Sequence, residues 1–131
     1  MVERRLVSSG SYLEPVIGFS RAVRVGNTIV VGGTAPIAAE GGTAAVGYMY
    51  GQARRCLEII AQAIADAGGS MADVTRTRII VTDISLWEDA ARAHAEVFGE
   101  IRPVTTLMEV SGFVDPDWLI EIEAEALLTG D

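Results

Sequence analysis

A chain of 131 residues suits one domain, 1–131, and leaves no room for a second independent core. Half of it is hydrophobic and 21% is charged, a balance that supports a buried core and argues against disorder. A formal charge of −8 repels phosphate backbones, so no nucleic-acid partner is expected, and no apolar run approaches the roughly 20 residues of a membrane span.

The opening Met1-Val2-Glu3-Arg4-Arg5 lacks the pattern of a targeting signal and leads into a short strand, so a cytoplasmic chain with no membrane partner is expected. From Phe19 to Val25 apolar and polar residues roughly alternate. Gly26-Asn27 interrupts, and the β-branched Thr28-Ile29-Val30-Val31 resumes, which predicts an antiparallel hairpin. Gly32-Gly33 ends the second strand, and without side chains there the backbone can approach a ligand or another chain closely. Residues 34–47, rich in Gly, Ala and Thr, read as a loop long enough to be a lid or an interface segment. Cys56, Leu57, Ile60, Ala63, Ile64 and Ala67 then recur at helical spacing and predict a long amphipathic helix, stopped by Gly68-Gly69.

The stretch Val74 to Thr82 predicts a strand with Arg76 and Arg78 on one face. A second helix is expected from Leu86 to Ile101, with Ser85 and Glu88 at capping-box spacing. Pro103 forces the chain out of helix and into the strand Val104 to Val110. The last strand, Trp118 to Leu128, alternates sharply, with Trp118, Ile120, Ile122, Ala124 and Ala126 on one face and Glu121, Glu123 and Glu125 on the other. Three carboxylates repel one another unless something answers them. Arg76 and Arg78, at the same two-residue spacing, are candidate cross-strand partners; the alternative is that one carboxylate points into a cleft and orients water or a ligand. The order is a short strand followed by ββαβαββ, an α+β chain.

All ten basic residues are arginine, so there is no lysine to form a Schiff base or hold a P-loop phosphate. Cys56 and His94 are the only residues of their types, which excludes a Cys/His zinc site within one chain and a disulfide framework. No cofactor is expected. His94 lies in a helical stretch without a nucleophile-elbow pattern and reads as a surface or interface histidine. Cys56 follows Arg54 and Arg55, yet its apolar neighbours at helical spacing make it a buried, inert thiol.

Several strings, in this order and spacing, resemble the RidA family, also called YjgF or L-PSP. They are Val25-Gly26-Asn27, Gly51-Gln52-Ala53-Arg54, Val81-Thr82-Asp83, Arg102-Pro103 and Ile120-Glu121-Ile122-Glu123-Ala124. The resemblance implies a chorismate-mutase-like fold, a mixed sheet packed on two helices, assembled as a homotrimer with ligand clefts between subunits. The strands Ile29-Val30-Val31 and Ile79-Ile80-Val81, apolar on both faces, independently ask for more burial than one helical layer provides.

In the family's deaminases an arginine in a Pro-Ala-Arg-Ser string binds the carboxylate of a 2-imino or 2-enamino acid, and a glutamate positions the hydrolytic water. Here the string is Pro103-Val104-Thr105-Thr106, with Thr105 in the arginine's place. A hydroxyl gives one neutral hydrogen bond and cannot reproduce a bidentate clamp. The family's Pro-Tyr corresponds to Gly18-Phe19, its Ser-Gly to Gly32-Gly33 and its helical asparagine to Ala91; Glu121 keeps its identity. Arg102 and Arg78 are the candidates to restore anion binding. Three functions follow: a homotrimer binding a small metabolite, carboxylated or not, at Phe19, Gly33, Thr105 and Glu121; a hydrolase of an imine, enamine or related intermediate using Glu121 and a displaced arginine; and, ranked last for want of basic and aromatic residues, a ribonuclease or translation inhibitor.

Overall fold

The computed structural model describes residues 3–130. Its elements are β1 (Arg4–Val7), β2 (Ala22–Val25), β3 (Thr28–Thr34), α1 (Met49–Asp66), β4 (Val74–Val81), α2 (Trp87–Phe98), β5 (Val104–Glu109) and β6 (Ile120–Leu127). The last strand of the chain is an inner strand of the six-stranded sheet, whose order is β1-β2-β3-β6-β4-β5. All neighbours are antiparallel except β4 and β5, the pair whose connection carries α2 across one face of the sheet.

The two-residue period of β6 divides the sheet. Ile120, Ile122, Ala124 and Ala126 are buried, and with Ile29, Val31, Ile79 and Val81 they meet Cys56, Leu57, Ile60 and Ile64 of α1 and Ala90, Ala93 and Phe98 of α2. On the helix-free face the glutamates of β6 stand in register with β4, Glu125 opposite Arg76 and Glu123 opposite Arg78. The expected cross-strand ion pairs form, at 3.3 Å and 3.1 Å. The same face leaves Leu6, Val30, Val104 and Met108 exposed.

Two further sets of contacts lock the helices to the sheet. Arg24 of β2 donates to the Ala67 carbonyl (2.8 Å) and Arg5 of β1 to the Asp66 carbonyl (2.6 Å), placing two cations at the C-terminus of α1, where helix carbonyls are unpaired. Gln52, fully buried on α1, donates to the Asp117 carbonyl and accepts from the Leu119 backbone N–H, which anchors the approach to β6.

Several boundaries differ from the sequence reading. The first hairpin strand begins at Ala22, because Glu14–Gly18 form a π-helical turn closed by the Phe19 N–H on the Glu14 carbonyl. The Ser85/Glu88 capping box is absent at α2. Asp83 instead accepts from Ser85 and starts a 3-10 turn that runs into the helix, while a true capping box forms at Ser70 and Asp73 before β4. Helix α2 ends at Phe98, and Arg102 takes φ 58° as the chain turns toward Pro103. Trp118 is buried ahead of β6, its indole N–H directed at Thr43 of the loop, 3.2 Å away.

Ile60→Ala empties a wholly buried position, for which a loss of about 2–5 kcal/mol in unfolding free energy is expected. Arg76→Ala removes a half-exposed ion pair and is expected to cost at most about 1 kcal/mol. Urea unfolding followed by circular dichroism compares the two.

Candidate functional site

The ladder between β3 and β6 slips between Val31 and Thr34. Gly32 and Gly33 occupy the slip, and the sheet opens there into a cleft of about 380 Å³ lined by Ile17, Phe19, Gly33, Val114, Trp118 and Glu121. A Cβ on Gly33 would lie 2.5 Å from Glu121 Oε1, so the bare backbone lets the carboxylate sit where it does and a side chain there would displace it.

Slippage also leaves β3 carbonyls without strand partners, and Arg21 answers them. Its Nη1 donates to the Gly33 carbonyl (2.6 Å) and to Thr34 Oγ1 (3.2 Å), and its Nε to Ser9 Oγ (3.3 Å). The guanidinium carbon lies 5.2 Å from the centroid of the Phe19 ring. Arg21 is only 4% exposed, and burial lowers its pKa while Glu14 and Glu121 act against that. Burial also acts on the Glu14 carboxyl, but hydrogen bonds from Ser8, Ser9 and Ser11 outweigh it and hold Glu14 below the usual carboxylate range.

Glu121 has no such support. Burial in the cleft raises its pKa, the Arg21 guanidinium opposes the rise, and Glu123 adds to it. Neither Arg21 nor Glu121 enters an ion pair among the described residues. The result is a carboxyl biased toward its protonated form beside a fixed cation, a group able to give or take a proton nearer neutrality than an ordinary glutamate.

Of the residues singled out in the sequence, the cleft gathers Phe19, Gly33 and Glu121. Arg78 is on the same face but is tied to Glu123, itself a lining residue. Arg102 is exposed, with its Nε on the Gly99 carbonyl at the end of α2. Thr105 lies on the opposite, helix-bearing face of the sheet, in register with Thr77. Buried Thr77 joins it to the only histidine, its Oγ1 standing 2.7 Å from Thr105 Oγ1 and 2.8 Å from His94 Nε2. Burial lowers the pKa of His94 and favours the neutral ring. Cys56 is fully buried and its thiol is pushed far up, so the inert reading stands. Arg21 was missed by sequence reasoning: strand alternation treats it as one more polar residue, and only the carbonyls freed by the slip draw it inward. Among the described residues no group of three or more His, Cys, Asp or Glu side chains could hold a metal ion, and no helix is long and apolar enough to cross a membrane.

Because the folded-state pKa of Glu121 is raised, the native protein binds a proton that the unfolded chain has already released between the two pKa values. Stability therefore falls as pH rises through that window. Glu121→Gln removes the term, and the variant is expected to unfold at a higher temperature than the parent at pH 7, with the difference narrowing toward pH 4. Thermal scans across that range check it.

The Endoribonuclease L-PSP family profile matches residues 9–128. An uncharacterized protein of Streptomyces coelicolor is 37% identical, the match covering 93% of this chain and 90% of that protein. The 3-aminoacrylate deaminase RutC of Acinetobacter baylyi is 34% identical over 86% of this chain and 88% of its own. Among solved structures, Rv2704 of Mycobacterium tuberculosis, a member of the YjgF/YER057c/UK114 family, superposes with a TM-score of 0.85 at 44% identity, covering 96% of this chain and all of that one. A profile that spans the domain from the Ser9 segment to the end of β6, on an α+β frame that superposes this closely, places the chain in the RidA/YjgF/L-PSP family.

Proposed function

We propose that the protein is a homotrimer that binds a small metabolite, carboxylated or not, in clefts between adjacent subunits. One observation carries the reading: Glu121 and Thr105, the two residues that match the family's reactive positions, lie on opposite faces of one chain's sheet. A ligand can touch both only if Phe19, Gly33 and Glu121 come from one copy and Thr105, with Arg102 at the start of its strand, from another. The exposed Leu6, Val30, Val104 and Met108 on the helix-free face support a second copy packing there.

Thr105 offers a single hydroxyl where the family's deaminases hold an arginine, and it is already bonded to Thr77. We therefore assign the cleft no standard 2-imino acid deaminase activity. A second reading is favoured by Glu121 itself. A carboxyl with a raised pKa beside Arg21 can position and deprotonate water, and a 34% identical relative is a 3-aminoacrylate deaminase. In that reading the chain is a hydrolase of an imine, enamine or related labile intermediate.

Sedimentation equilibrium is expected to give the mass of three chains, and a monomer at micromolar concentration would sink the shared cleft. Ammonia and keto-acid release from freshly generated imino acids separates the two readings. The parent protein is expected to match buffer and Thr105→Arg to exceed it. Release by the parent that Glu121→Gln abolishes would establish the hydrolase instead.

A further inference from the structure

Arg21 stands between two cavities and lines both. On one side is the Glu121 cleft. On the other is a cavity of about 180 Å³, bounded by Ser9 and Ser11 of the N-terminal segment, by Ala38 of the loop after β3, and by Arg55 and Ile59 of α1. Of its lining only Arg21 and Ala35 are shared with the cleft.

Its donors are built and unspent. Arg21 uses Nε and Nη1 on Ser9, Thr34 and the β3 carbonyls, and among the described residues its Nη2 makes no hydrogen bond. Arg55 is held the same way: Nε donates to the Ile37 carbonyl (2.6 Å) and Nη1 to Glu58 (3.2 Å), and among the described residues its Nη2 makes no hydrogen bond. Ser11 Oγ accepts from the Leu13 N–H and keeps its proton available. No buried side-chain nitrogen or oxygen among the described residues lacks a partner, so these unused donors are not sealed in packed protein.

Arg21 is only 4% exposed and, among the described residues, has neutral oxygens but no carboxylate within 4.0 Å, an arrangement that an anion at its free edge would stabilise. The charges of the two cavities decide from which side. In the cleft Arg21 shares the lining with Glu121 and Glu123, whereas the smaller cavity adds a second arginine to Arg21 and has no acidic residue in its lining. Of the nearby carboxylates, Glu58 pairs with Arg55 through Nη1 and leaves its Nη2 edge to the cavity, and Glu14 accepts from Ser9 and Ser11.

We propose that the cavity between Arg21 and Arg55 is a binding site for a small oxyanion, a carboxylate or a phosphate, separate from the Glu121 cleft. Two guanidinium edges and a hydroxyl converge on a volume that suits a phosphate- or acetate-sized ion and is too small for a nucleotide. The assignment stands whether or not the chain is a trimer and whatever the cleft binds.

Calorimetric titration of the full chain with inorganic phosphate, and separately with acetate, at constant ionic strength tests it. Saturable binding of at least one ion is expected. Arg55→Gln should weaken binding by about tenfold or more, and Ala38→Phe, which fills the cavity from the loop, should abolish it. Val114→Trp, which fills the Glu121 cleft from its exposed rim and touches neither arginine, should leave it unchanged. Phosphate binding alone would identify the ion as a phosphate and acetate binding alone as a carboxylate, and binding of both would identify a site for either. No saturable binding at millimolar concentrations, unchanged binding in both Arg55→Gln and Ala38→Phe, or loss confined to Val114→Trp would overturn the proposal. Thermal unfolding confirms that each variant folds, and either cavity variant suffices if the other does not.

Discussion

The fold depends on one strand being paired on both sides. Strand β6 hydrogen-bonds to β3 and to β4, so its two-residue period is imposed on the sheet as a whole. A slip of one residue would turn Ile120, Ile122, Ala124 and Ala126 to the open face and bury three glutamates under the helices. Hydrophobic burial against α1 and α2 therefore sets the register, and the ion pairs with Arg76 and Arg78 are a consequence more than a cause.

Glu121 is the member of the glutamate row that the ladder leaves unanswered. Glu123 and Glu125 meet arginines, but the residue of β4 opposite Glu121 is Ile80, an apolar side chain. The slip at Gly32-Gly33 falls beside it, opening the cleft and freeing the carbonyls that hold Arg21. One irregularity in the ladder thus produces the room for the carboxylate, the burial that raises its pKa, and the cation that moderates the rise. The same cation, reached from its other side, is what the second cavity presents to solvent.

Much of this was legible locally. Alternation in β6, helical spacing from Cys56 to Ala67, the glycine stop and the Arg/Glu spacing each depend on neighbours a few residues apart, and each appears in the fold. The boundaries that differed, at Ala22, Phe98 and Trp118, are places where a tertiary contact or turn competes with the periodic pattern. The Ser85/Glu88 pattern failed because Asp83, two residues earlier, captured the Ser85 N–H and hydroxyl.

By itself the sequence determined the α+β class, the inward and outward faces of the strands and the buried thiol, which follow from side-chain period. Gly33 and Glu121 were expected at a cleft from the family resemblance. Tertiary structure alone decided where the charges act. It turned Arg21 inward, chose for Arg78 the cross-strand pairing over the anion-binding role, left Arg102 on the surface, and set Thr105 on the face opposite Glu121 with a hydrogen-bonded path to His94. The physical reason is that an arginine's long side chain goes to whichever oxygens lack partners, and those are created only when distant strands pair and slip.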